Sequence, residues 1–304
     1  MKINTFSIVV GTKACNAKCP FCISRMTGFN EVKKLPVINN YDEMPNFESA
    51  ALFAKQANVS TVLLTGKGEP TLYPDEITKI LQALRPYNFP FTELQTNGLI
   101  IGKSFAADDQ KSFKFIDELK YWKKLRCNTI AISVCSVKDE ENAKIYDPDY
   151  PSLVNTVKNL HSLGFTVRLG LMLIDGMVDN EKSLIEVIDW CKANKVEQLT
   201  IRPIRKSEET SDETVSHFVE TRGLSSDKEE AIRKFVHDNG TQIMTLSHGA
   251  IIYDLFDQNI CLTDCLTVPQ DHDHIRTLIY YRSGLLTYDW QYKGAILLGG
   301  NSNE

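Results

Sequence analysis

Three cysteines, Cys15, Cys19 and Cys22, stand in the stretch GTKACNAKCPFC with C-x3-C-x2-C spacing. Thiolates are ligands for soft metals, zinc and iron–sulfur clusters foremost. A structural zinc site closes with four protein ligands, and here the fourth would have to come from far away, from His161 or Cys265. Three cysteines on a [4Fe–4S] cube instead leave one iron open to a substrate or cofactor. A second stretch, TGKGEP from Thr65 to Pro70, places Gly66 and Gly68 in a turn where the backbone can approach a ligand closely. By itself that turn also reads as no more than a tight connection.

These residues need a frame to hold them. The chain has 304 residues, 42% of them hydrophobic, and a formal net charge of −5. Such a chain buries a sizeable core, and its acidity weighs against a protein that grips long nucleic acid. The N-terminal apolar run is too short to span a membrane and lacks a cleavage signal, so a cytoplasmic enzyme is expected. Eight cysteines then read as metal chemistry in a reducing compartment rather than as a disulfide framework.

Six strand-like runs begin at Phe6, Ser60, Phe91, Asn128, Thr166 and Gln198. Amphipathic segments from Asn46, Pro74, Lys111, Pro151 and Asn180 alternate with them, with Pro151 in a first turn and Gly164 just past a helix end. Repeated βα units imply a parallel sheet. We expect an α/β fold, a partial (β/α)6 TIM-like barrel over residues 1–204. A linker over 205–227 and a smaller C-terminal α+β extension over 228–304 would follow, the extension shaping substrate access.

Such barrels carry chemistry at the C-terminal ends of their strands. A lumen-facing strand sends every second side chain inward. With the aliphatic set of each strand turned to the helices, Glu93, Gln95, Asn97, Ser133, Cys135, Arg168, Met172, Thr200 and Arg202 face the lumen. Buried polar groups need partners, either a ligand or one another. In the second case the two arginines pair with Glu69 and Glu93.

On the cysteine loop after a first strand, with Phe21 before the last cysteine, the chain resembles the radical S-adenosylmethionine (radical SAM) superfamily. The resemblance covers the first two-thirds of the chain. It implies that Cys15, Cys19 and Cys22 ligate a [4Fe–4S] cluster whose open iron chelates the amino and carboxylate groups of S-adenosylmethionine. One electron then cleaves the sulfonium to a 5′-deoxyadenosyl radical, which abstracts hydrogen from the substrate. The family's G-G-E-P stretch corresponds to Gly66, Gly68, Glu69 and Pro70, with Lys67 as a departure that adds a cation at the rim. Ser133 and Arg168 match positions contacting ribose and carboxylate, and Ile201 to Pro203 match an adenine contact. Phe21, Gln95, Asn97 and Arg202 complete the expected cofactor surroundings. Cys135 is the candidate catalytic thiol, facing either substrate or a space filler.

The resemblance leaves the substrate open. A small molecule or nucleotide is the first expectation and a peptide the second, with a glycyl-radical activase third and an external electron donor of flavodoxin or ferredoxin type in each case. A non-catalytic iron–sulfur or zinc protein is the rival from a different class. Cys261 and Cys265 are too few for a second cluster. Cys127 and Cys191 read as core fillers. His248, His272 and His274 read as a solvated loop rather than a metal site. The aromatic end IYYRSGLLTYDWQYKG is either a lid or a hairpin turning at Gly284.

Overall fold

β-Branched and apolar residues at period two form strands at all six expected places, and the intervening 3.6-residue periods form helices. A computed structural model describes residues 2–26, 44–206, 210, 212–246, 249–263, 274–290 and 294–300. In chain order come β1 (Lys2–Val9), α1 (Ile23–Met26), α2 (Phe47–Gln56), β2 (Thr61–Thr65), α3 (Pro74–Leu84) and β3 (Phe91–Thr96). Next are α4 (Leu99–Ala106), α5 (Gln110–Lys124), β4 (Thr129–Val134), α6 (Asp139–Ile145), α7 (Leu153–Ser162) and β5 (Thr166–Leu173). Then follow α8 (Glu181–Ala193), β6 (Gln198–Pro203), α9 (Glu213–Arg222), α10 (Ser226–Asn239) and β7 (Thr241–Thr245). β8 (Ile251–Leu255), β9 (Gln258–Leu262), β10 (His274–Tyr280), β11 (Leu286–Thr287) and β12 (Ile296–Leu298) complete the described elements.

β1 to β6 lie side by side in chain order, each parallel to the next. This is the α/β architecture of a partial barrel. The extension continues the same sheet at both edges. β9 adds parallel to β6 and carries β8 and β7, while β10 adds parallel to β1 and carries β11 and β12. Covering both edges of an open barrel removes two rows of unpaired backbone groups.

Local signals account for several boundaries. Asn180 caps α8 in a reciprocal capping box with Ser183. Gly164 follows α7 at φ +83°, a left-handed position that suits glycine. Pro151 stands outside that helix, because Ser152 takes the cap and accepts from the Asn155 N–H. Gly284 turns the hairpin between β10 and β11 at φ +86°, so the aromatic end is a hairpin. The segment expected as a linker contains α9, whose Val215 and Val219 are buried.

The alternation along β5 is complete. Val167, Leu169, Leu171 and Leu173 are buried, while Arg168, Gly170 and Met172 are partly open on the other face. Cys127 and Cys191 are fully buried in the main core, as core fillers. No helix among the described residues is long and apolar enough to cross a membrane.

Candidate functional site

The loop after β1 and the ends of the strands enclose a cavity of about 600 Å³. Cys15, Cys19 and Cys22 all line it, as do Phe21, Gly66, Gly68, Glu69, Gln95, Asn97, Ser133 and Arg202. Residues far apart in sequence thus converge at the end of the barrel where chemistry is expected.

The turn TGKGEP is the brace of this site. Glu69 is fully buried, and its carboxylate accepts from the Thr71 N–H (2.9 Å) and hydroxyl (2.6 Å), the Thr96 hydroxyl (2.6 Å) and the Asn97 N–H (2.8 Å). Burial raises its pKa, and these hydrogen bonds pull it back. Four donors on one carboxylate tie the turn after β2 to the end of β3. The Glu69 N–H donates in turn to the Ala14 carbonyl at 2.9 Å, which holds the cysteine loop against the turn. Gly68 makes that approach possible, since a Cβ there would lie 2.1 Å from the Ala14 oxygen.

The cysteine loop has further fixings. The Ala17 N–H donates to Cys15 Sγ at 3.4 Å, and the Asn97 amide reaches the same sulfur at 3.8 Å. Lys18 N–H donates to the Tyr146 carbonyl at 3.2 Å. On its outer side Phe21 meets Phe218 of α9, ring centroids 6.4 Å apart, and Arg25 pairs with Asp212 at 2.7 Å. That ion pair is substantially exposed, so it contributes at most about 1 kcal/mol. The apolar contact of α9 with the loop stabilises it more. Phe218→Ala is therefore expected to speed cluster loss from the loaded protein more than Asp212→Asn does, as followed by the decay of visible absorbance.

The thiols fit an iron–sulfur cluster better than a single ion. His161, the candidate fourth zinc ligand among the described residues, meets the Glu197 carboxylate at 3.2 Å and does not line the cavity with the three thiols. Desolvation lifts the Cys19 thiol far above its usual range, and Cys22, Cys135 and Cys15 add to it. Cys15 is raised for the same first reason. Crowded, desolvated thiols resist ionisation until a cationic centre reverses the balance. N–H donors aimed at Cys15 Sγ suit a bound thiolate.

Two expected site residues stand apart from the cavity wall. Arg168 forms an ion pair with Glu93 inside the lumen, and Gln95 donates to the same carboxylate at 3.0 Å. Self-pairing thus engages one end of this guanidinium, Nη2, and leaves its buried Nε without a hydrogen-bond partner, while Arg202 reaches the cavity. Removing one partner of a mostly buried pair costs about 3–5 kcal/mol. Arg168→Met should lower the denaturation midpoint accordingly, and Glu93→Gln in the same chain should recover much of the loss. Cys135 is fully buried behind the wall, its thiol 3.4 Å from the Tyr146 hydroxyl. Burial pushes that thiol up to about 12.

The wall holds Met172, as alternation along β5 expects, and also residues that spacing did not single out, notably Tyr146, Ile204 and Arg205. Tyr146 follows the short helix α6, whose seven residues give too little periodicity to read. Ile201 packs in the outer core and its carbonyl accepts from Thr263 N–H, so Ile204 is the apolar residue facing the cavity beyond β6. Lys67 is buried at 7% exposure rather than standing at a rim. Its ammonium lies over the Trp290 ring, 5.0 Å from the centroid. Cys261 lies on β9, while Cys265, His248 and His272 fall outside the described residues.

The Radical SAM superfamily model matches residues 9–191, more than half of the chain. The chain belongs to the radical SAM superfamily, whose cofactors, a [4Fe–4S] cluster and S-adenosylmethionine, are therefore its own. Among solved structures it is similar to Streptococcus suis SuiB bound to S-adenosylmethionine. That match has TM-score 0.56 and 16% identity, covering 96% of this chain and 61% of SuiB. SuiB bound to precursor peptide SuiA matches with TM-score 0.56 and 15% identity over 99% of this chain and 63% of that one. The structure of anSMEcpe with bound AdoMet gives TM-score 0.50 and 14% identity, over 78% and 60%. The chain thus spans about three fifths of the length of these structures, and at such identities the likeness is one of fold. No curated protein sequence matches it.

Proposed function

We propose that the chain is a radical SAM enzyme acting on a small molecule or nucleotide, with Cys15, Cys19 and Cys22 as the cluster ligands. The observation that carries this reading is the convergence of the three thiols, the TGKGEP turn and the lumen-facing polar residues on one cavity. When bound, the cluster and S-adenosylmethionine supply a one-electron cleavage that yields a 5′-deoxyadenosyl radical. The chain's own residues then have positional tasks. Gly66 and Gly68 bring backbone close to the methionyl end, Asn97 steadies the first thiolate, and Ser133 and Arg202 meet the polar parts of the cofactor. Phe21, Met172 and Ile204 supply apolar wall, which keeps water from a reactive radical. Cys135 does not line the cavity and acts through Tyr146, a lining residue whose hydroxyl its thiol meets at 3.4 Å.

The volume of about 600 Å³ has to hold the cluster and S-adenosylmethionine as well as the reacting part of the substrate, so the space left suits a compact group, which supports the small-molecule reading. A peptide substrate is the second reading. Its support is the likeness to SuiB over nearly the whole chain, extension included, because SuiB has been seen with a precursor peptide. Residues 1–204 as the catalytic barrel and 228–304 as its access-shaping extension belong to both readings. The test is formation of 5′-deoxyadenosine by the reduced enzyme in the presence of small-molecule, nucleotide and peptide panels. Acceleration by a small molecule or nucleotide is expected. Acceleration by peptides alone would transfer the function to the second reading.

A further inference from the structure

The hairpin between β10 and β11 bears on the cysteine loop from behind. β1 runs straight into that loop, and its last residue, Val9, packs with Ile279, Tyr281 and Leu285 of the hairpin. Trp290 stands edge-on to Tyr281 with centroids 6.2 Å apart, and its ring covers the Lys67 ammonium of the TGKGEP turn. The hairpin is itself anchored ahead of α2. Tyr280 donates its hydroxyl to the Pro45 carbonyl at 2.8 Å, and the Asn46 amide donates to the Gly284 carbonyl at 3.1 Å.

A buried ion pair joins this hairpin to the loop. Arg282, two residues before the turn at Gly284, meets Glu76 Oε2 at 3.4 Å, with the two side chains 8% and 5% exposed. The same oxygen accepts the Gly11 N–H at 3.1 Å. Gly11 opens the cysteine loop, and the next residues are held from the same side. The Thr12 and Tyr73 hydroxyls meet at 2.6 Å, and the Thr12 hydroxyl accepts the Ala14 N–H at 3.1 Å. Glu76 sits in the first turn of α3, so the ion pair ties that helix, the hairpin and the loop together at one carboxylate. A guanidinium on one side of a carboxylate fixes where its lone pairs point on the other. A buried pair returns little stability beyond what apolar packing would give, so this arrangement is better explained by what it orients than by what it stabilises.

We infer that the C-terminal hairpin completes the cluster site, with Arg282 and Glu76 as positioning residues that hold the entry of the cysteine loop. This rests on Cys15, Cys19 and Cys22 as the cluster ligands and is independent of which substrate the enzyme takes. Three thiolates on one cube tolerate little displacement, and groups one shell beyond the ligands decide how well a centre is held. The extension thus has a task besides shaping access to the cavity.

The test is the rate of cluster loss to an iron chelator from full-length protein reconstituted anaerobically with iron and sulfide, followed by visible absorbance. The denaturation midpoint of each variant is measured before reconstitution. Arg282→Met should lose its cluster at least about tenfold faster than wild type, as loss of a group one shell beyond metal ligands does. Arg282→Lys, which keeps a cation for Glu76, should lie close to wild type. Glu76→Gln combined with Arg282→Met removes both charges together and keeps an acceptor for the Gly11 N–H, so its midpoint should return towards the wild-type value. Its cluster loss should stay faster than wild type, because the hairpin no longer orients that acceptor. A wild-type rate in Arg282→Met would overturn the inference. So would a double variant that recovers midpoint and cluster retention together, which would reduce the pair to a stabilising contact. Wild-type protein that takes up no iron would refute the ligand assignment and this inference with it, whereas iron uptake with unchanged loss rates in the variants refutes the inference alone.

Discussion

Cys19→Ala protein, reconstituted anaerobically with iron and sulfide, is expected to hold iron and labile sulfide near background. Its formation of 5′-deoxyadenosine should fall by more than about 100-fold, beyond the loss typical of an outer-shell partner. The three thiols line one cavity, and among its described lining residues the one other His, Cys, Asp or Glu is Glu69, which four scaffold donors already hold. Cys19 is also more deeply desolvated than Cys15, so its thiolate gains more from a cationic centre. Cys127→Ala is the matched control, because Cys127 lies in the main core away from the cavity. It should keep its iron. Iron and sulfide analysis of the two variants beside wild type checks the prediction, and equal iron in all three proteins would refute it.

Gly68→Ala is expected to have the next largest effect. The added Cβ would stand 2.1 Å from the Ala14 carbonyl oxygen and 2.6 Å from that of Thr12. Both are backbone atoms of the cysteine loop and cannot rotate aside as a flexible side chain would. The loop must move off the turn, which breaks the 2.9 Å bond from Glu69 N–H to Ala14 and displaces Cys15. Overpacking of this kind costs about 1–3 kcal/mol, and here the strain falls on the loop that carries the thiols. A lower denaturation midpoint together with reduced iron retention is the expected result. Gly170→Ala provides the contrast, since its nearest neighbour would be the Ile132 carbonyl at 3.8 Å, an ordinary contact. Iron retention in Gly68→Ala equal to that in Gly170→Ala would contradict the bracing role of the turn.

Much of this site was legible because its signals are local. The C-x3-C-x2-C spacing lies within one loop, and alternation along a strand such as TVRLGLML states which side chains share a face. Both depend on chain geometry over a few residues. The role of Glu69 was not legible in the same way, because its donors Thr96 and Asn97 come from the neighbouring strand end and only the fold brings them together. Arg168 shows the limit of alternation, which places a side chain in the lumen without saying which partner it meets there. Here Glu93 meets its Nη2. The edge-completing roles of β9 and β10 were also hidden, since no local pattern says which edge of a sheet a distant strand will join. Helix α9 escaped notice because its charged, polar residues mask a narrow buried stripe of Val215, Ser216 and Val219. Lys67 illustrates the same point at the level of one side chain. A lysine between glycines in a turn reads as exposed until Trp290 is seen to cover it.

Radical chemistry at the three-cysteine loop is tested at its root by 5′-deoxyadenosine formation. The anaerobically reconstituted, dithionite-reduced protein is given S-adenosylmethionine, and the metal content of the same sample is measured. Iron and sulfide are expected in the protein, with 5′-deoxyadenosine that depends on both reductant and cluster. Zinc in place of iron, with no 5′-deoxyadenosine formed, would overturn the enzyme assignment and return Cys15, Cys19 and Cys22 to a structural role.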